Sequence, residues 1–187
     1  MPKTPLENID PQKIYLHALG FHTAENALGK LTGSFDPQYG SQVVEANIVL
    51  SALTSELFLK CLICIETKLT PQGHHLGELF KQLTPKTQRS IIELWDTHIV
   101  PAREQMWRLI ENSQGTKLKR DLPSALFAAS RTFEKLRYSY EGNLQDTTFY
   151  IGDLPRILRR IILEMNPAWA NMGRLVTAVG DIRPGHK

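Results

Sequence analysis

The run from Val43 to Leu69 constrains this chain most: it is apolar on nearly every side of a helix, yet Glu56 and Lys60 sit near its middle. Each of those charges would cost roughly 2.5–3.5 kcal/mol at the centre of a bilayer. The run therefore reads as the central helix of a bundle and not as a membrane span. A helix that is apolar all round has to be covered on most sides, so other helices must surround it. Ser55 and Glu66 are expected on its solvent edge, with Glu56 and Lys60 pointing among Val49, Ile63 and Cys64. Charges in such surroundings need partners. Two readings follow: an internal ion-pair network that fixes helix register, or a polar cluster lining a cleft or dimer seam.

Punctuation divides the rest into helices. Asp10-Pro11 reads as N-cap and first helical residue, opening a helix to about residue 31. Asp36-Pro37 or Ser41 opens the long second helix. Thr70-Pro71-Gln72-Gly73 breaks it, and His74-His75-Leu76 starts a short helix ending near Leu83. Thr84-Pro85 caps the next, whose apolar side carries Ile91, Ile92, Leu94, Trp95 and Ile99. Pro101 must kink or split that helix, because it removes a ladder bond and clashes with the preceding turn. Asp121-Leu122-Pro123 and Asp153-Leu154-Pro155 are matching helix starts. The first opens a helix to about Glu141, stopped by Gly142, and the second runs through Met165 to Asn166-Pro167. Only Thr147–Gly152 has strand character. The expected fold class is all-α, a bundle of about five to six helices with a long apolar helix at its centre. A chain of 187 residues suits one domain, expected over 1–170 with an irregular tail at 171–187.

Cys61 and Cys64 are too few for a disulfide framework and point to a reducing, cytoplasmic setting. They form a CxxC string in mid-helix among leucines and isoleucines, which suits buried thiols. The N-terminus has no basic cluster or apolar segment of the kind that directs secretion. Positive charge is uneven: residues 1–100 carry 8 Lys/Arg against 10 Asp/Glu, and residues 101–187 carry 14 against 9. Clusters at Lys117, Lys119, Arg120 and at Arg156, Arg159, Arg160 suit a phosphate backbone or a solvated helix face. His74-His75 lacks a spaced Cys/Asp partner set for metal, so neither metal nor cofactor is expected. Trp95, Trp107 and Trp169 are expected as core or interface anchors. No phosphate-binding glycine loop, zinc-protease helix or nucleophile elbow occurs.

In the fifth helix, Leu126, Ala129, Phe133, Leu136 and Tyr140 form a core stripe at 100° per residue. Ser130, Glu134, Arg137 and Glu141 line its edge, with Arg137 nearest the core border and Tyr138 just beyond.

Glu56-x-x-x-Lys60 on a long apolar helix, followed by His75-Leu76-x-x-Leu79-Phe80-x-x-Leu83 and then Phe133-x-x-x-Arg137-Tyr138-x-Tyr140-Glu141, resembles the HEPN family over residues 43–165. The resemblance implies a helical bundle, often dimeric, found in prokaryotic toxin–antitoxin and defence systems. Active members are metal-independent endoribonucleases with an Arg-x4–6-His motif. In that motif imidazole exchanges a proton and guanidinium steadies the phosphate charge. This chain departs from it. Gly142, Asn143 and Leu144 follow Arg137 at the critical spacing, and Leu136, Arg137 and Tyr138 follow Arg131. The resemblance then implies a non-catalytic binding module for RNA or a partner protein, built around Glu56, Lys60, His75, Arg137, Tyr138 and Glu141. The alternatives are a ribonuclease with an altered site, in which Arg137 binds phosphate and His75 or Glu141 acts as base, and a purely structural or regulatory bundle. Partners implied by the family are RNA, an antitoxin, or a nucleotidyltransferase acting on a tyrosine such as Tyr138 or Tyr140, with a homodimer as the expected assembly.

Overall fold

Asp10 starts the first helix as its sequence suggests: its Oδ1 accepts the Gln12 N–H at 2.9 Å, satisfying a donor that has no partner within the helix. The structure is a computed structural model and describes residues 9–32, 37–69, 71–115, 117–136 and 151–172. In chain order the helices are α1 (Pro11–Thr32), α2 (Pro37–Thr67), α3 (Leu76–Lys81) and α4 (Pro85–Leu94). A π-helical turn (Trp95–Ile99) joins α4 to α5 (Val100–Gln114); α6 (Leu122–Leu136), α7 (Leu154–Met165) and a 3₁₀ turn (Pro167–Asn171) complete the order. The fold is all-helical, and among the described residues there is no strand. The Thr147–Gly152 stretch and the Gly142 stop lie wholly or mostly outside the described residues.

α1 and α2 pack antiparallel along their length. Cys61 Sγ donates to the Pro11 carbonyl at 3.3 Å, the rings of Tyr15 and Phe58 are 6.1 Å apart, and Gly29 faces Asn47. The other side of α2 meets α3, α6 and α7. Phe58, Leu59 and Leu62 are therefore completely buried, in one cluster with Leu126 and Leu158. Val43–Thr67 is long and apolar enough to cross a membrane by length and composition, and 61% of its apolar window is buried inside the protein. Ser55 departs from its expected place: it is fully buried, not on the solvent edge. With helices on both flanks of α2 the wet edge shrinks, and a hydroxyl is small enough to be enclosed.

α2 ends at Thr67, where Lys68 takes a left-handed backbone with φ 59°. Glu66 then ties this end to the next helix. Its Oε2 accepts the Thr84 N–H at 2.8 Å, and its Oε1 accepts the hydroxyls of Thr84 and Thr87. Thr84 in turn caps α4 by accepting from the Thr87 N–H. Pro101 has its expected effect in a particular form. It enters as an early residue of α5, and the turn before it widens so that the Val100 N–H reaches back to the Trp95 carbonyl, five residues away. The wider turn relieves the clash a proline ring makes with the preceding turn of a regular helix. The rod from α4 to α5 is thus interrupted but not broken.

Trp95 and Trp107 anchor that rod, their rings stacked at 6.5 Å and both buried. The Trp95 indole N–H donates to the Arg120 carbonyl at 2.8 Å. The Arg120 guanidinium lies 5.9 Å over Trp107 and pairs with Glu104 and Glu111 at 2.8 and 3.0 Å. Trp169 packs on Tyr15 at 5.3 Å.

Candidate functional site

α2 supplies the first two groups. Glu56 and Lys60 are four residues apart, so they stand on adjacent turns of one face, and Lys60 Nζ donates to Glu56 Oε1 at 2.7 Å. The carboxylate side chain is 8% exposed and the lysine 18%. The third group comes from the connection between α2 and α3. His74 Nδ1 lies 2.8 Å from the same carboxylate oxygen, while the imidazole is 79% exposed. One buried carboxylate thus accepts from an ammonium and orients an imidazole that faces solvent. A carboxylate used in this way fixes the ring's tautomer and orientation.

His75 stands next to this group but faces elsewhere. It precedes α3 in an extended conformation, and its side chain makes no capping bond. Its ring lies 5.8 Å from that of Phe127 on α6, and its Nδ1 is buried with no hydrogen-bond partner among the described residues. The helix start it precedes is held by α6 instead: the Leu76 N–H donates to Ser130 Oγ at 2.8 Å. The Ser130 hydroxyl in turn donates a hydrogen bond to the Leu126 carbonyl at 2.8 Å. Ser130, expected as part of an edge stripe, is a buried clasp between the two helices.

The structure therefore joins Glu56 and Lys60, adds His74, and sets His75 beside α6. Arg137, Tyr138 and Glu141 lie outside the described residues, so their place relative to Glu56 and His75 does not enter the geometry. His74 was paired with His75 in the sequence as a string, but no spacing rule links a residue in a loop to one 18 positions earlier on a helix.

A second polar group also escapes the sequence pattern. Along the α1–α2 seam, His22, Glu25, Asn47, Ser51, Thr54 and Ser55 are all buried, with His22 Nδ1 3.2 Å from Glu25 Oε2. Thr54 returns its hydroxyl to the Leu50 carbonyl. The hydroxyls of Ser51 and Ser55 have no hydrogen-bond partner among the described residues. The recurrence of small polar residues at 47, 51 and 55 is the one signal of this stripe in the sequence.

Compared with family models, with curated proteins and with solved structures, the chain matches none.

The remaining chemistry is quiet. Cys61 and Cys64 are free and buried; burial, reinforced by Cys64 and Asp10, pushes the Cys61 thiol up to about 12. Burial also raises Cys64, partly offset by Lys68. Among the described residues, no group of three His, Cys, Asp or Glu side chains is placed to hold a metal ion.

Proposed function

We propose that this chain is a HEPN-like, non-catalytic binding module that takes RNA, as a cytoplasmic homodimer in a prokaryotic defence, toxin–antitoxin or regulatory setting. The observation that supports it is the Glu56 carboxylate, nearly buried on the central helix and paired at once with Lys60 and the exposed His74. Such an arrangement spends its charge on holding a surface in shape. The arginine-to-histidine spacing of the family's nucleases is absent from the sequence, which supports binding without cleavage. An antitoxin or a nucleotidyltransferase is the protein partner that fits the same setting.

One observation favours a second reading. An exposed imidazole oriented by a buried carboxylate is the usual form of a general base, and in a metal-independent endoribonuclease with an atypical site His74 would take that role, with Arg137 on the phosphate. An RNA cleavage assay in EDTA separates the two. Wild type, Arg137→Ala and His74→Ala should all leave a mixed RNA pool intact, while wild type retards it in a gel. Cleavage by wild type that either substitution abolishes establishes the nuclease. Light scattering should give about twice the chain mass of 21.2 kDa; a monomer removes the dimer from the proposal.

A further inference from the structure

Two grooves on the surface carry positive charge, and their cations differ in how far they are neutralised. Between α5 and α7, Arg103, Arg156 and Arg160 surround a hollow with an apolar floor. Arg103 lies 2.7 Å and Arg156 3.7 Å from Asp153, while Arg160 lies 2.8 Å from Glu164. Each guanidinium there is already in an ion pair with a carboxylate, two of them sharing Asp153.

The second groove, of about 480 Å³, lies between the 117–119 strip and the first turns of α6, and is lined by Lys117, Lys119, Pro123, Ser124 and Phe127. Both lysines are exposed, and neither forms an ion pair among the described residues. Asp121 does not neutralise them by contact, because its Oδ1 accepts the Ser124 N–H at 2.9 Å and caps α6. Arg120, the third member of the sequence cluster, is turned inward onto Glu104, Glu111 and Trp107. This leaves its two lysine neighbours on the groove.

Phe127 is the unusual residue. Leu122, Ala125, Leu126 and Ala129 form the buried stripe of α6, and Phe127 stands off it, with 54% of its surface exposed. It is nonetheless held in place. The His75 ring packs against it at 5.8 Å and 52°, and one turn further on Ser130 fastens α6 to the start of α3. An exposed aromatic ring on a helix, flanked by two lysines that form no ion pair among the described residues, is what stacks a base while its phosphates are neutralised.

We infer that this groove is a single-stranded RNA site, in which one base stacks on Phe127 and Lys117 and Lys119 neutralise the neighbouring phosphates. The inference rests on the RNA-binding reading above and names the surface that performs it. His75 joins the two places, since it braces Phe127 and is the chain neighbour of His74 at Glu56.

The test is fluorescence anisotropy of the full chain with a 5′-fluorescein-labelled 12-mer oligouridylate, over a series of salt concentrations. Phe127→Ala should weaken binding by about 5- to 150-fold, the usual loss when one base loses its stacking platform. Phe127→Tyr should keep wild-type affinity, and Phe127→Leu, which preserves apolar bulk without a ring, should not. Lys117→Ala with Lys119→Ala should lower the slope of log affinity against log salt by about 1.4, because each phosphate contact on a single strand contributes about 0.7. A structural defect would change affinity without this change in slope. Wild-type binding with an unchanged slope and Phe127→Leu equal to wild type would overturn the groove while leaving the RNA-binding reading intact. That outcome would leave Phe127 as a protein contact. No binding by wild type at low salt would overturn both.

Discussion

Glu56 shows how much a single side chain is asked to do. It is 6% exposed, and a carboxylate that far from water is tolerated only because Lys60 and His74 both reach it. Removing it leaves the Lys60 ammonium partly desolvated with no counter-charge. Glu56→Ala should therefore lower unfolding stability by about 1–3 kcal/mol, read as a shift of the urea midpoint. Replacing Glu56 and Lys60 together by apolar residues should cost less than Glu56→Ala alone, because no stranded charge remains. Cys61 offers a second residue-scale check. Its folded-state value of about 12 lies above its ordinary 9.0, so the folded chain holds that proton more tightly than the unfolded chain does. Stability is unaffected below pH 9 and falls as pH rises from 9 towards 12. At pH 8 the thiol should react with a thiol reagent only after denaturant is added; rapid labelling of Cys61 in the native protein would contradict its burial.

At the scale of elements, the junctions between helices matter more than the helices. α3 is only six residues long, too short to persist on its own helix-forming tendency. It is held by Leu76, Leu79 and Phe80 in the core and by Ser130 at its start. Ser130→Ala leaves the Leu76 N–H buried without an acceptor and should cost about 1–2 kcal/mol. Hydrogen exchange should report faster opening in α3 than in α2 for the same variant; equal acceleration in both would mean the clasp is not local. The Asp121 cap acts in the same way on α6. Partial burial raises its carboxyl, but the Ser124 backbone N–H and hydroxyl lower it by more, with Lys119 adding to them, and the net shift is downward. A depressed carboxyl contributes stability that is present above its unfolded value and lost as pH falls through its folded one. Asp121→Asn should flatten that acid limb of the stability profile.

For the whole molecule, α2 is the element on which the others depend, with α1 along one side and α3, α6 and α7 along the rest. Phe58 sits where these meet, fully buried and in ring contact with both Tyr15 and His22. Phe58→Ala should cost about 3–5 kcal/mol through lost burial and the cavity left behind, and the loss should appear as one cooperative transition in thermal unfolding. Separate transitions for α1 and the remainder would show that the seam does not couple them.

The sequence alone determined the helices, because their causes are local. Asp10-Pro11, Thr84-Pro85 and Asp121-Leu122-Pro123 mark helix starts through capping and the missing proline donor, and Pro101 announces a disturbance wherever the helix goes. The burial of α2 was equally legible, since a helix apolar all round has nowhere else to go, and so was the Glu56–Lys60 pair at its four-residue spacing. The tertiary structure alone decided which charges face outward. Lys117, Lys119 and Arg120 look alike in the chain, yet Arg120 is drawn over Trp107 to Glu104 and Glu111 while its neighbours stay on the surface. The same holds for His74 and His75, of which only the first meets Glu56, and for Phe127, whose exposure depends on what packs beside α6. The physical reason is range. Caps and helical periodicity act within about one turn of the chain, whereas the partner of a charge or a ring is set by the packing of segments distant in sequence.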